Sequence, residues 1–254
     1  MGSIQDDDDV PELSVHALGA LQDFLSERDQ RAKEFEDLKV TAEDDFDEAP
    51  APTHHNGNGI KDKKLSMEAF TEDWNVSQFW YNDATATTLA RQLLDGATDE
   101  TRIAVVSTPS VFVQIKNLLA TPEYPVRPDV KLLEYDERFS VFKEFVPYDF
   151  LIPTRLPPSL KGQFDRIICD PPFLSVDCQT KMALTVRWLS KSWDASTHLV
   201  ICTGERMHEL IKKLYGKAGM RTTDFEIEHM KLSNEFCCYA NFERKGLWQW
   251  KKDE

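Results

Sequence analysis

Residues 164–173 read FDRIICDPPF, a mainly apolar run that stops abruptly at two prolines. The apolar character of residues 164–169 favours a strand buried inside a sheet. Neither Pro171 nor Pro172 can donate a backbone hydrogen bond, so the ladder of the sheet cannot continue past Asp170. Each proline also pushes the residue before it toward extended geometry, which stiffens the chain. We therefore predict a buried strand that ends in a rigid loop at residues 170–173.

Strands and helices alternate on both sides of this loop. Apolar runs predict further strands at residues 102–107, 130–133, 142–146 and 198–202. Apolar periodicity predicts helices at 84–94, from Pro109 onward, at 178–191 and at 206–215, with Asn82 or Asp83 and Thr108 suited to cap the first two. The last two strands, 222–228 and 235–242, have no helix between them and should pair antiparallel. This alternation predicts the α/β class: a mostly parallel sheet with helices on both faces.

The acidic charge is concentrated at the N-terminal end of the 254-residue chain. The whole chain has a formal net charge of −14, but residues 1–73 carry 20 acidic and 7 basic side chains, which leaves the remainder near −1. Leucines three or four apart predict a short amphipathic helix at 13–25. We expect an acidic arm at 1–41, a flexible linker rich in Pro, Gly and acidic residues at 42–66, and one globular domain at 67–254.

Composition narrows the class of protein further. No stretch approaches the roughly 20 apolar residues of a membrane span, and five cysteines without paired spacing favour a reducing compartment. His54 and His55 have no partner at ligand spacing, so no metal site is expected. The residues after 73 are nearly neutral overall and contain no arginine-rich stretch, so a nucleic acid is not the favoured partner. We expect a cytoplasmic monomer, in which Trp248 and Trp250 either contact a partner or pack over a sheet edge.

Candidate site residues follow four of the predicted strands. Parallel α/β sheets bind ligands at the carboxyl ends of their strands. In the loop at residues 170–173, the Asp170 carboxylate and the backbone carbonyls beside the Phe173 ring would suit a planar or cationic nitrogen group. The alternative is a proline-rich loop in which Phe173 only packs against the protein. The four segments are Ser107-Thr108-Pro109-Ser110, Glu134-Tyr135-Asp136, Tyr148-Asp149 and Asp170-Pro171-Pro172-Phe173.

The last segment resembles the [DNS]-P-P-[YFW] motif of S-adenosylmethionine-dependent amino-methyltransferases. Four further segments, in the same order, are similar to the elongation factor 1-alpha lysine methyltransferase family, which was first described by analogy with adenine-N6 methyltransferases. They are SQFWY at 77–81, STPS at 107–110, LEYDERF at 133–139 and NEF at 234–236, and LSVHAL at 13–18 resembles the leading helix of that family. The resemblance covers roughly residues 74–242. The chain departs from general methyltransferases in lacking a Gly-rich turn after the first strand.

The resemblance implies a seven-stranded Rossmann-like class I methyltransferase fold with an antiparallel last strand. It also implies S-adenosylmethionine as cosubstrate, no metal, and elongation factor 1-alpha as the protein substrate. Methylation of adenine in DNA or RNA, or a binding module that has lost catalysis, are the alternatives. By the same resemblance, residues 170–173 (Asp170, Pro171, Pro172 and Phe173) form the catalytic loop.

The resemblance also suggests which residues hold the methyl donor. Asp136 is the first choice to bind the ribose hydroxyls and Glu134 is the second. Both are candidates because alternate residues of a strand lie on the same side. An ordinary surface acid is the alternative for Asp136. Asp149 matches the position that binds the adenine amino group. The remaining expected contacts are Ser107, Thr108, Pro109 and Asp170, together with Gln78 and Trp80, which would enclose the methionine end or the incoming side chain. Of the aromatics at 79–81, at least one should be structural, since three adjacent side chains cannot all face one way.

Overall fold

A computed structural model describes residues 64–70, 72, 78–231 and 236–252, together with the isolated positions 22, 26 and 33. The predicted helix at 13–25 and the linker at 42–66 lie almost wholly outside the described residues. The arm and the domain boundary therefore stay predictions.

Seven strands form a single sheet within the described part of the chain. They are β1 (Arg102–Val106), β2 (Asp129–Glu134), β3 (Phe145–Pro147), β4 (Arg166–Cys169), β5 (His198–Gly204), β6 (Arg221–Glu226) and β7 (Phe236–Ala240). Their order across the sheet is β3-β2-β1-β4-β5-β7-β6. All neighbours run parallel except β7, which is antiparallel to both β5 and β6. This topology confirms the predicted Rossmann-like class I methyltransferase fold.

In the described part of the chain, four α-helices cover the two faces of the sheet: α1 (Asp83–Leu94), α2 (Pro109–Leu119), α3 (Val176–Leu189) and α4 (His208–Tyr215). Two apolar layers result because alternate side chains of each strand point to opposite faces. Ile103 and Val105 of β1 pack in one layer with α1 and α2, whereas Ala104 and Val106 pack in the other with α3 and α4. None of the helices in the described ranges is long and apolar enough to cross a membrane.

Three differences from the sequence-based prediction affect the local structure, whereas the other predicted ends lie within two residues of the observed ones. The strand predicted at 142–146 is reduced to β3, because residues 137–141 form a 3-10 turn and Phe142 packs against Phe112 in the core. The helix predicted at 206–215 begins as a 3-10 turn and becomes α-helical at His208. Asn82 caps α1 by accepting the Thr85 N–H at 2.8 Å, but the Thr108 hydroxyl makes no such bond at the start of α2.

Both C-terminal tryptophans pack over the edge of the sheet beside β6. Trp248 is buried, and its indole N–H donates to the Phe242 carbonyl at 3.0 Å. Trp250 pairs with Thr223 and lies under the Arg221 guanidinium, 4.7 Å from the ring centre. Of the two alternatives left open by the sequence, the structural one holds.

Candidate active site

A cavity of about 280 Å³ opens at the carboxyl ends of the central strands. Its wall includes residues from all four strand ends identified in the sequence, which confirms that they converge. The predicted site residues in the wall are Gln78, Trp80, residues 107–109, Glu134, Asp149 and residues 170–173. Asp136 is the one predicted site residue that does not line the cavity.

Asp170 stands at the point where β4 stops. Its backbone N–H donates to the Val106 carbonyl at 3.1 Å, which is the last bond of the ladder before the prolines. Its carboxylate oxygen Oδ2 accepts the hydroxyl of Tyr81 at 2.5 Å. Burial raises the pKa of Asp170 to about 7, the hydrogen bond from Tyr81 opposes this rise, and the nearby Glu134 carboxyl adds to it. Asp170 can therefore exchange a proton near neutral pH.

The rest of the loop presents an aromatic face beside this carboxyl group. Phe173 is 39 % exposed and lies against Phe150, with ring centres 5.7 Å apart. Its carbonyl accepts a hydrogen bond from Gln179 Nε2 at 3.2 Å, and the same nitrogen donates to the Thr203 hydroxyl at 2.9 Å. Gln179 on α3 thus holds the loop against β5, so the position of Phe173 does not depend on the prolines alone.

The two acidic residues at the end of β2 have different surroundings. Glu134 is buried, and its Oε1 accepts the backbone N–H groups of Tyr135 at 2.8 Å and Asp136 at 3.2 Å. Burial raises the pKa of Glu134 to about 7, although these two hydrogen bonds lower it. Its Oε2 has no hydrogen-bond partner among the described residues, so it is available to a ligand.

Asp136 instead belongs to the turn that follows β2. It caps the 3-10 turn Glu137–Val141 and accepts hydrogen bonds from Arg138 and from Gln78 Nε2, the latter at 3.0 Å. Partial burial works against ionisation, but the hydrogen bonds from Arg138 and Gln78 prevail and lower the pKa of Asp136. The carboxylate is thus occupied in holding Gln78 and the turn in place.

The turn between β1 and α2 contains Ser107 and Thr108 and lacks the usual Gly-rich sequence. Ser107 has a φ of 53°, a left-handed conformation that glycine adopts more easily. Thr108 is 2 % exposed, and its hydroxyl has no hydrogen-bond partner in the described part of the chain. Since the N-terminus of α2 also attracts negative groups, this corner of the cavity suits a ligand that carries a carboxylate.

The aromatic residues at 79–81 divide between the core and the cavity. Trp80 borders the cavity, but its indole N–H donates to the Phe70 carbonyl at 2.8 Å and its ring meets Phe139 edge-on. Trp80 is therefore a structural residue, and the sequence predicts at least one such residue among the three aromatics at 79–81. Tyr81 faces Asp170, and its backbone N–H donates to the Ser110 hydroxyl at 3.2 Å.

Sequence reasoning overlooked His229 in the cavity wall, together with Phe150 and Leu151 beyond Asp149. Residues 228–230 follow β6 and pair with residues 80–82, which brings the imidazole within 5.0 Å of the Tyr81 ring and 4.6 Å of the Phe236 ring. Burial lowers the pKa of His229 to about 4, although Glu72 raises it slightly, so the ring is neutral at pH 7. No local pattern marks this residue, because the pairing joins segments far apart in the chain.

The cavity therefore combines a buried carboxyl group, an aromatic wall and a neutral imidazole. The described residues contain no cluster of three or more His, Cys, Asp or Glu side chains that could hold a metal ion. Such a site is able to desolvate and orient an amine.

Comparison with known proteins supplies the family. Residues 72–244 match the family model described as "Probable N6-adenine methyltransferase". The chain is 41 % identical over 243 residues to "Protein-lysine N-methyltransferase EFM5" of Saccharomyces cerevisiae, a match that covers 91 % of this chain and 92 % of the relative. It is 37 % and 32 % identical to "EEF1A lysine methyltransferase 1" of Gallus gallus and of Homo sapiens, covering 93 % and 94 % of this chain and 96 % and 95 % of the relatives. The chain therefore belongs to the methyltransferase family of this model, alongside these relatives.

Proposed function

We propose that this protein transfers a methyl group from S-adenosylmethionine to a lysine side chain of translation elongation factor 1-alpha. The observation that carries the proposal is the pairing of Asp170 with the exposed face of Phe173 at the mouth of the cavity. The names of the relatives favour lysine over adenine as the acceptor, since these proteins are called protein-lysine and EEF1A lysine methyltransferases.

The unsatisfied acceptors of the cavity fit the methyl donor. Glu134 Oε2 is placed to accept the ribose hydroxyls, the role for which the sequence favoured Asp136, because a carboxylate is a strong acceptor for hydroxyl groups. Asp149 uses Oδ1 for the Leu151 N–H at 2.8 Å, which leaves Oδ2 for the adenine amino group. Tyr135 and Leu151 are 65 % and 57 % exposed, and both border the cavity, where an adenine ring would cover them. The Thr108 hydroxyl and the start of α2 would hold the methionine carboxylate.

The acceptor lysine must reach the cavity without its extra proton. A free lysine has a pKa of about 10.4, so its neutral form costs about 4–5 kcal/mol at pH 7. Phe173 and the neutral His229 lower this cost by desolvating the amine, because a low-dielectric surrounding disfavours the ammonium form. With a pKa of about 7, Asp170 can take the proton that the amine releases and pass it to solvent. The bound donor supplies an activated methyl group on a sulfonium, and most of the rate would come from alignment of the amine with it.

Location and assembly are part of the proposal. The cysteines Cys169, Cys178, Cys202, Cys237 and Cys238 form no disulfide, which agrees with a reducing compartment. We propose that the protein lies in the cytoplasm, as a monomer that acts on a translation factor.

A methyl-transfer assay tests the proposal. The protein is incubated with labelled S-adenosylmethionine and either elongation factor 1-alpha or an adenine-containing oligonucleotide. We expect label on the protein substrate, and we expect Asp170→Ala to abolish it. Asp224→Ala, which removes an exposed carboxylate on the outer strand β6, is the matched control and should retain activity. Label on the oligonucleotide alone would establish the adenine alternative, and absence of both donor binding and label would favour a non-catalytic module.

A further inference from the structure

Tyr81 is fixed in the cavity from several directions. Its side chain is 3 % exposed, and its ring lies edge-on to His229. Its backbone pairs with the residues after β6 and donates to the Ser110 hydroxyl at the start of α2. Its hydroxyl reaches Asp170 Oδ2 at 2.5 Å, the short distance typical of a charge-assisted bond. The Tyr81 hydroxyl is therefore held in place by packing and hydrogen bonds within the protein, and its position does not depend on any ligand.

This contact leaves the two oxygens of Asp170 unequal. Oδ2 accepts from Tyr81, whereas Oδ1 has no hydrogen-bond partner among the described residues. A carboxylate with both oxygens open would grip an ammonium group, which is the unreactive form of lysine. With one oxygen committed, a single acceptor remains to bind one N–H of the amine and to aim its lone pair.

We propose that Tyr81 is a positioning residue for methyl transfer: its hydroxyl locks Asp170 in one orientation and leaves only Oδ1 to orient the incoming amine. This inference rests on the proposed function. Tyr81 acts through Asp170 and need not touch the substrate, so its removal should affect turnover more than donor binding.

The hydrogen bond from Tyr81 also affects the pKa of Asp170. Glu134 on β2 is the titratable neighbour that raises the pKa of this carboxyl, and the Asp170 carboxylate in turn raises the pKa of three nearby thiols, Cys169 on β4, Cys178 on α3 and Cys202 on β5. Burial is the main cause that raises the pKa of the Cys169 and Cys178 thiols, and a hydrogen bond with Cys238, followed by burial, raises that of Cys202, so all three thiols are neutral at pH 7. Among the described residues, only the hydrogen bond from Tyr81 lowers the pKa of Asp170 and so stabilises its carboxylate. Loss of its hydroxyl should therefore raise the pKa of Asp170 above about 7.

Kinetics of Tyr81→Phe test the inference, because the substitution removes only the hydroxyl. We expect kcat to fall about 10- to 100-fold, a loss typical of a misaligned reacting group, while the KM for S-adenosylmethionine stays within about twofold. The acid limb of the kcat profile should move to higher pH, so that part of the activity returns above pH 8. The matched control is Tyr215→Phe, which removes a buried hydroxyl that does not line the cavity and should leave kcat and the pH profile unchanged. An unchanged kcat, or a lower kcat with an unmoved acid limb, would overturn the proposal.

A second measurement does not require turnover. In protein labelled with ¹³C at the tyrosine ζ carbon, the Tyr81 signal, assigned by its absence in Tyr81→Phe, should titrate near pH 7 as Asp170 ionises. In Asp170→Asn the same signal should be flat across this range. A Tyr81 signal that fails to titrate in the wild type would refute the coupling. If it titrates but elongation factor 1-alpha is never labelled, the proposed function fails while the Tyr81–Asp170 coupling stands.

Discussion

Replacing Glu134 with Gln should weaken donor binding and stabilise the unliganded fold at the same time. The substitution keeps Oε1, which accepts the Tyr135 and Asp136 N–H groups, and exchanges the open Oε2 for an amide that cannot accept a ribose hydroxyl. A hydrogen bond to a charged acceptor contributes about 1.5–3 kcal/mol. The dissociation constant for S-adenosylmethionine should therefore rise about 10- to 150-fold.

The effect of Glu134→Gln on stability has the opposite sign. Burial raises the pKa of Glu134 from its ordinary 4.5 to about 7, so the folded protein holds this proton more tightly than the unfolded chain does. Above pH 7 the ionised, buried carboxylate then destabilises the fold by up to about 3 kcal/mol, and below about pH 4.5 this penalty vanishes. The Gln variant should gain several degrees in Tm at pH 8 and little at pH 4.

Calorimetric titration and thermal melts of the same samples separate the two effects. The control is Asp136→Asn, whose carboxylate lies outside the cavity wall and binds Arg138 and Gln78. We expect it to change donor affinity less than about threefold and to lower Tm slightly. If Asp136→Asn weakens binding more than Glu134→Gln, the ribose contact belongs to Asp136 and the reasoning from cavity geometry is wrong.

Four further outcomes can be measured. Trp80→Phe removes the indole N–H that donates to the Phe70 carbonyl and should cost about 1–3 kcal/mol in urea unfolding; an unchanged midpoint would contradict the anchoring role. Phe173→Ala should lower turnover about tenfold while donor affinity stays the same, which calorimetry checks. Donor affinity should increase between pH 6 and 8 as Glu134 ionises, and a flat profile would exclude its contact with the ribose hydroxyls. Deleting residues 1–64 should raise the KM for the protein substrate at low salt, and an unchanged KM would make the arm a solubilising tail.

The sequence alone determined the class of fold and the edge of the sheet that carries the chemistry. Both depend on local properties of the chain. Apolar runs alternate with amphipathic periods, and the prolines after Asp170 end β4 whatever the surroundings. The rule that parallel strands bind ligands at their carboxyl ends then brought residues 107–109, Glu134, Asp149 and the 170–173 loop to one cavity, as the structure confirms.

Only the tertiary structure decided which of these side chains face the cavity and which support them. Period two placed Glu134 and Asp136 on one side, but the chain leaves β2 through a 3-10 turn, and this redirects Asp136 toward Arg138. The Tyr81–Asp170 bond joins residues 89 positions apart, and the bridge to His229 spans a still greater length of chain. Contacts of this kind are set by how distant segments pack, so no local pattern of residues encodes them.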